Sequence, residues 1–139
     1  MSKTQTLTAN TNRSVIYSDF FTDFSRHINT GQLNKKTNED AVKQSVRNLL
    51  LTDHYERPFQ PHIGSNLRQL LFEPFTPATQ LTAKAYIAEV FNKHEPRAAL
   101  LGATIVPNAD GNAIDITITF RIINSTNPTT LQFLLERTR

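Results

Sequence analysis

From Ile114 to Ile122 apolar and polar residues alternate without interruption, with Ile114, Ile116, Ile118, Phe120 and Ile122 set against Asp115, Thr117, Thr119 and Arg121. Successive side chains of an extended chain point to opposite faces, so this segment reads as a strand with one buried and one wet face. A strand from Ala113 to Asn124 would extend about 35 Å, about twice the usual length, and the helices of a short chain cannot easily cover all of it. Leu101 to Val106 is its candidate partner, joined through Asn108-Ala109-Asp110-Gly111-Asn112 with its Asp-Gly turn chemistry. Asn127-Pro128 makes a second turn before a third apolar alternation, Leu131, Phe133 and Leu135. Such a sheet has open edges, which invite pairing with another chain unless the hairpin curls over its own helices.

The segments before this sheet read as helical. Thr37-Asn38-Glu39-Asp40 supplies a capping oxygen and two carboxylates at the positive end of a helix that carries Val42, Val46, Leu49 and Leu50 and stops near Leu51 to Asp53. Tyr55-Glu56-Arg57-Pro58-Phe59-Gln60-Pro61-His62-Ile63-Gly64 then forms an irregular, rigid loop. A short second helix holds Leu67, Leu70 and Leu71 and ends at Pro74. Thr76-Pro77 starts a third, running to about His94, with Leu81, Ala85 and Ala88 on one face and Ile87 and Phe91 beside it. Ahead of these, Val15 to Phe24 is aromatic and β-branched and softens into a loop through Asn29, Gly31 and Asn34. Residues 1–14 are Thr- and Asn-rich without periodicity and read as a flexible tail before one domain spanning 15–139. The expected class is α+β, about three helices on a small antiparallel sheet of two to three long C-terminal strands.

Composition narrows the functions. A chain of 139 residues suits one core, and with 19% charged residues part of its surface is expected to be covered by partners. There is no Cys, which excludes disulfides and thiolate zinc sites. The net charge of +3 comes from scattered Lys and Arg whose densest run is Lys35-Lys36, so nucleic acid is not expected as a partner. No apolar run reaches the about 18 residues of a membrane span and the N-terminus has no apolar signal core, so no membrane is expected either.

Candidate chemistry is sparse. His27, His54, His62 and His94 lie in separate segments; the Pro-rich loop gives His54 and His62 a way to approach each other, but no metal or other cofactor is expected. Gly31, Gly64, Gly102 and Gly111 are isolated, without a phosphate loop. Glu56, Glu73 and Glu95 adjoin structured turns, yet each has a local structural explanation, and no catalytic residue is assigned. Glu95-Pro96-Arg97 is the sharper feature. Proline disfavours helix at the residue before it, so Glu95 ends the third helix, and Glu95 and Arg97 project from a rigid corner. They either brace that corner against each other or clamp a neighbouring subunit.

Several motifs together resemble the baseplate wedge and sheath-initiator proteins of contractile-tailed bacteriophages, relatives of the baseplate wedge component of type VI secretion machines. They are Ile16-Tyr17-Ser18-Asp19, Ala41-Val42, Leu49-Leu50, Glu56-Arg57-Pro58-Phe59 with Ile63-Gly64, Leu70-Leu71-Phe72-Glu73 and Glu95-Pro96-Arg97. The Thr-rich stretch before Val15 is longer than the family pattern requires. The resemblance implies a non-enzymatic virion component of the tail baseplate, assembled in the host cytoplasm. Glu95, Pro96 and Arg97 would contact larger wedge proteins. Ile114, Ile116, Ile118, Phe120, Ile122, Leu131, Phe133 and Leu135 would lie in strands that exchange with the tail sheath protein and start its polymerisation, with tail tube or hub proteins as further neighbours. Members of the family have also been described as lysozyme-like, so a peptidoglycan hydrolase using Glu56 or Glu73 as its acid is the rival expectation.

Overall fold

A computed structural model describes residues 16–108 and 113–137. The tail 1–14 and residues 109–112 of the hairpin turn lie outside the described residues. Among the described residues, two antiparallel sheets and three helices confirm the α+β class. A small sheet pairs β1 (Ser18–Phe20) with β2 (Lys35–Thr37). Then follow α1 (Asn38–Leu51), a 3-10 helix (Leu67–Phe72) and α2 (Pro77–His94). The main sheet has β3 (Ala98–Asn108), β4 (Ala113–Ile122) and β5 (Pro128–Glu136) in that spatial order. Among the described residues no helix is long and apolar enough to cross a membrane.

The alternation in β4 sets the layering. Ile114, Ile116, Ile118, Phe120 and Ile122 are all buried, and their neighbours Ile105, Leu131, Phe133 and Leu135 complete the apolar face. The helices close that face with Val42, Val46 and Leu50 from α1, Leu67 and Leu70 from the 3-10 helix, and Ile87, Val90 and Phe91 from α2. The rings of Phe91 and Phe120 lie 5.5 Å apart at a tilt of 52°. Fully burying a side chain of this size contributes about 1.5–3 kcal/mol, so the sheet face and its helical cover hold the fold together. On the opposite face, which no helix covers among the described residues, lie Thr117, Thr119, Thr130 and Gln132, of which Thr130 and Gln132 are exposed.

Several expectations change. The long strand ends at Ile122, two residues earlier than expected, because Ser125 donates to the carbonyl of Ile122 and turns the chain. Its apolar face is covered along its whole length, so the expected overhang is absent. In α2 the expected Leu81–Ala85–Ala88 face is turned outward, with Leu81 68% exposed, while Ala83, Ile87, Val90 and Phe91 face the sheet. β3 starts at Ala98, three residues before the expected Leu101, and a register shift between Leu100 and Gly102 leaves Leu101 unpaired and exposed. Thr37 makes no side-chain cap. Instead Asn38, at φ 50, accepts the N–H groups of Ile16 and Tyr17 on its Oδ1 at 2.9 and 3.3 Å, and its own N–H donates to Tyr17 O. That bond set ties the first described residues to the start of α1.

Candidate functional site

The corner after α2 is built by Pro96. The Glu95 N–H still reaches the Phe91 carbonyl at 3.3 Å, but Glu95 has left helical geometry (φ −129, ψ 71) and the Ala98 N–H closes a turn on Glu95 O at 3.2 Å. The turn brings Arg97 back over Glu95. Arg97 Nε donates to Oε1 at 2.5 Å and Nη2 to Oε2 at 2.8 Å, a two-pronged ion pair. Glu95 is 1% exposed and the Arg97 side chain 33%. The guanidinium carbon also lies 5.4 Å from the centre of the Tyr17 ring, so Arg97 connects the corner to the N-terminal segment.

Electrostatics agrees with an internal brace. Burial opposes ionisation of Glu95, but hydrogen bonds from Arg97 and from Ser45 of α1, with the guanidinium charge, outweigh it and hold the carboxyl below its ordinary range. The Glu95 hydrogen bond in turn raises Arg97, with Asp19 contributing at longer range. Both oxygens of Glu95 are engaged by Arg97. The exposed surface at this corner consists of Pro96 and the outer edge of the guanidinium, and Tyr17 also lines a cleft of about 320 Å³ with Ile16, Asn124 and Asn127 among others.

The main sheet offers backbone rather than side chains. The eight residues expected to mediate strand exchange point into this chain's own core, seven of them buried and Leu131 partly so. β4 is paired on both sides, so any added strand must join β3 or β5. Alternation identifies the open groups. Ile123 N–H donates to Arg97 O at 3.0 Å, which directs the backbone of the odd-numbered β4 residues to β3 and of the even-numbered ones to β5. On β3 this leaves Ala103, Ile105 and Pro107 facing outward, but the Ile105 carbonyl is capped by Gln80 Nε2 at 3.0 Å and Pro107 has no N–H. On β5 the outward groups belong to Thr130, Gln132 and Leu134, with no proline after Pro128. β5 is the more receptive edge.

Of the two alternative acids of the hydrolase expectation, Glu56 lies in the loop after α1 and Glu73 just after the 3-10 helix. Glu56, itself exposed, accepts the Asp53 N–H at 2.9 Å, whereas Glu73 borders a cleft lined by Leu70, Phe75, Pro107 and Asn108 among others. The carboxyl groups whose ionisation is displaced, Glu89 by its Lys93 partner and Glu95 at the corner, both move down, opposite to a general acid. His54, His62 and His94 do meet around one cleft, with the His62 and His94 rings 6.3 Å apart, and sequence reasoning had paired only the first two. Among the described residues no group of three or more His, Cys, Asp or Glu is placed to hold a metal ion.

Comparison with known proteins shows the family through a family model and the fold through solved structures. The model of the family described as baseplate wedge protein gp25 matches residues 36–127. The baseplate wedge protein gp25 of Enterobacteria phage T4 is 31% identical over 85 residues, which cover 61% of this chain and 64% of that relative's length. Among solved structures, a Geobacter sulfurreducens protein described as a tail lysozyme is similar at TM-score 0.65 and 24% identity, over 73% of this chain and 92% of that one. A chain of the anti-feeding prophage baseplate gives TM-score 0.62 and 21% identity, over 86% of this chain and 85% of its own. One of the postcontracted pyocin R2 baseplate gives 0.52 and 20%, over 82% and 98%. At these identities the three structures show a shared fold.

Proposed function

The chain belongs to the baseplate wedge protein gp25 family, and from that membership we propose that it is a structural component of a contractile-tail baseplate, with no catalytic step of its own. It binds larger wedge proteins and starts the sheath by accepting a strand from the sheath protein. The observation that carries this reading is the sheet: a covered apolar face behind a β5 edge whose outward N–H and C=O groups are spaced for one more antiparallel or parallel strand. The Glu95-Pro96-Arg97 corner serves the wedge side by presenting Pro96 and the outer guanidinium edge, while Glu95 holds Arg97 in place. Tail tube or hub proteins are further neighbours, and the host cytoplasm is the place of assembly.

The test is Gln132→Pro. Residue 132 directs its backbone away from β4, so proline removes a donor from the open edge and spares the bonds inside the sheet. Sheath tubes nucleated from the wedge complex, counted by electron microscopy, are expected to fall about tenfold or more, while the isolated variant melts within a few degrees of the parent. Full nucleation by a folded variant would exclude β5 as the acceptor edge. Clearing of a peptidoglycan suspension by the purified chain, lost in Glu56→Gln or Glu73→Gln, would replace this reading with the hydrolase.

A further inference from the structure

The segment between α1 and the 3-10 helix is a closed protrusion. Its two ends are clamped where Asp53 bridges Ser65 in parallel, the Ser65 N–H donates to Thr52 O at 2.8 Å and Ser65 Oγ donates to Leu50 O at 2.7 Å. Within it, Tyr55 N–H reaches Pro61 O at 2.9 Å, Gln60 N–H reaches Arg57 O at 3.3 Å and Glu56 Oε2 accepts the Asp53 N–H. Pro58 and Pro61 restrict the rest. On this frame Tyr55 is 84% and Phe59 101% exposed, and both have φ 69. Bulky residues seldom occupy that left-handed region, so the loop holds two rings in solvent on a backbone they do not themselves favour.

We propose that this loop is a preformed plug that seats Phe59, with Tyr55 and Arg57 beside it, in an apolar pocket bearing a carboxylate at its rim on another protein of the same particle. The inference rests on the baseplate reading and adds a contact distinct from both the sheet edge and the Glu95-Pro96-Arg97 corner. Chemistry selects the occupant. Tyr and Arg, here two residues apart, are the side chains that most often dominate the binding energy of protein interfaces, together with other large aromatics. Among the described residues no carboxylate forms an ion pair with Arg57, so its charge is available to a partner. A loop clamped at both ends also loses little freedom on docking. A lipid surface would use the rings but has no need of a frame that fixes them one by one.

Hydroxyl-radical footprinting of Tyr55 and Phe59, read by mass spectrometry, tests the proposal on the isolated full-length chain and on assembled particles. Both rings are expected to label freely in isolation and at least about tenfold more slowly in the particle. Phe59→Ala is expected to lose at least about thirtyfold in competition with the parent for incorporation. Its melting temperature should not change, because the ring touches nothing in the free chain, and Phe59→Leu should recover part of the loss. Equal labelling of Phe59 in particles that contain the chain overturns the plug and leaves the baseplate reading intact. Absence of the chain from the particles overturns both. Protection of the isolated chain by anionic phospholipid vesicles, with unaltered incorporation of Phe59→Ala, assigns the loop to a membrane and overturns the protein partner.

Discussion

Arg97→Ala is expected to lower the folding stability of the isolated chain by about 2–4 kcal/mol, less than the loss from a fully buried ion pair because the Arg97 side chain is 33% exposed. The loss is large because of what remains. Glu95 is 1% exposed, and without Arg97 its carboxylate keeps only Ser45 among the side chains that favour its charge. The same substitution removes the cation over the Tyr17 ring, loosening the N-terminal segment from the corner. A drop in melting temperature of roughly 10–20 °C is the corresponding readout. Arg97→Lys should recover only part of it, since an ammonium group cannot match both oxygens.

The pH dependence supplies an internal control. In the parent, the Glu95 carboxyl is lowered from 4.5 in the folded chain, so its contribution is complete above the unfolded value and is lost as pH falls through the lower, folded value. In Arg97→Ala the buried carboxylate has lost its cation, its pKa rises, and mild acidification relieves the variant by protonating it. The stability gap between the two proteins should therefore narrow from neutral pH toward about pH 4. A constant gap across that range would mean that Arg97 acts through packing and not through Glu95. Wedge binding measured well below the variant's melting temperature then isolates whatever the outer guanidinium edge contributes to a partner.

Much of this fold can be read from side-chain periodicity, and the parts that cannot have physical reasons. The alternation of β4 fixed a strand, its two faces and its burial, because one face of a sheet must be covered and a period of two admits one assignment. The face of α2 was ambiguous because its apolar residues are spread round the helix, interrupted by Gln80, Lys84, Glu89, Asn92 and Lys93. Ala83, Ile87, Val90 and Phe91 form a proper stripe at helical spacing, but Leu81 draws the eye to the wrong side. The three-residue strands β1 and β2 carry Ser, Asp and Lys and have no apolar period to detect. The Glu95–Arg97 pair was visible as a corner, and only the turn closed by Ala98 N–H on Glu95 O shows that the two side chains face each other. Least legible was the receptive edge. Whether β3 or β5 is open depends on a register, on one side-chain cap from Gln80 and on the position of Pro107.

Gly64→Ala should be comparably costly, at about 3 kcal/mol, and should damage a different place. Gly64 has φ +127, a region that side chains rarely adopt, and a Cβ there would stand 2.5 Å from the Thr52 carbonyl oxygen and 3.0 Å from the carbonyl atoms of Asp53. All three are backbone atoms, so no rotamer change relieves the clash. Strain of the residue and displacement of the neighbouring chain each cost about 1–3 kcal/mol. The chain that must move is the clamp itself, since Thr52 O accepts the Ser65 N–H and Asp53 bridges Ser65. Because Ser65 Oγ also bonds Leu50 O, the disturbance reaches the end of α1. Urea denaturation should show the full loss, and hydrogen exchange should place it at Thr52 to Leu67 while the amides of β4 keep their order of protection. A Gly64→Ala chain with the parent's stability would mean that the loop base is free to rearrange, and a plug mounted on it would not then be preformed.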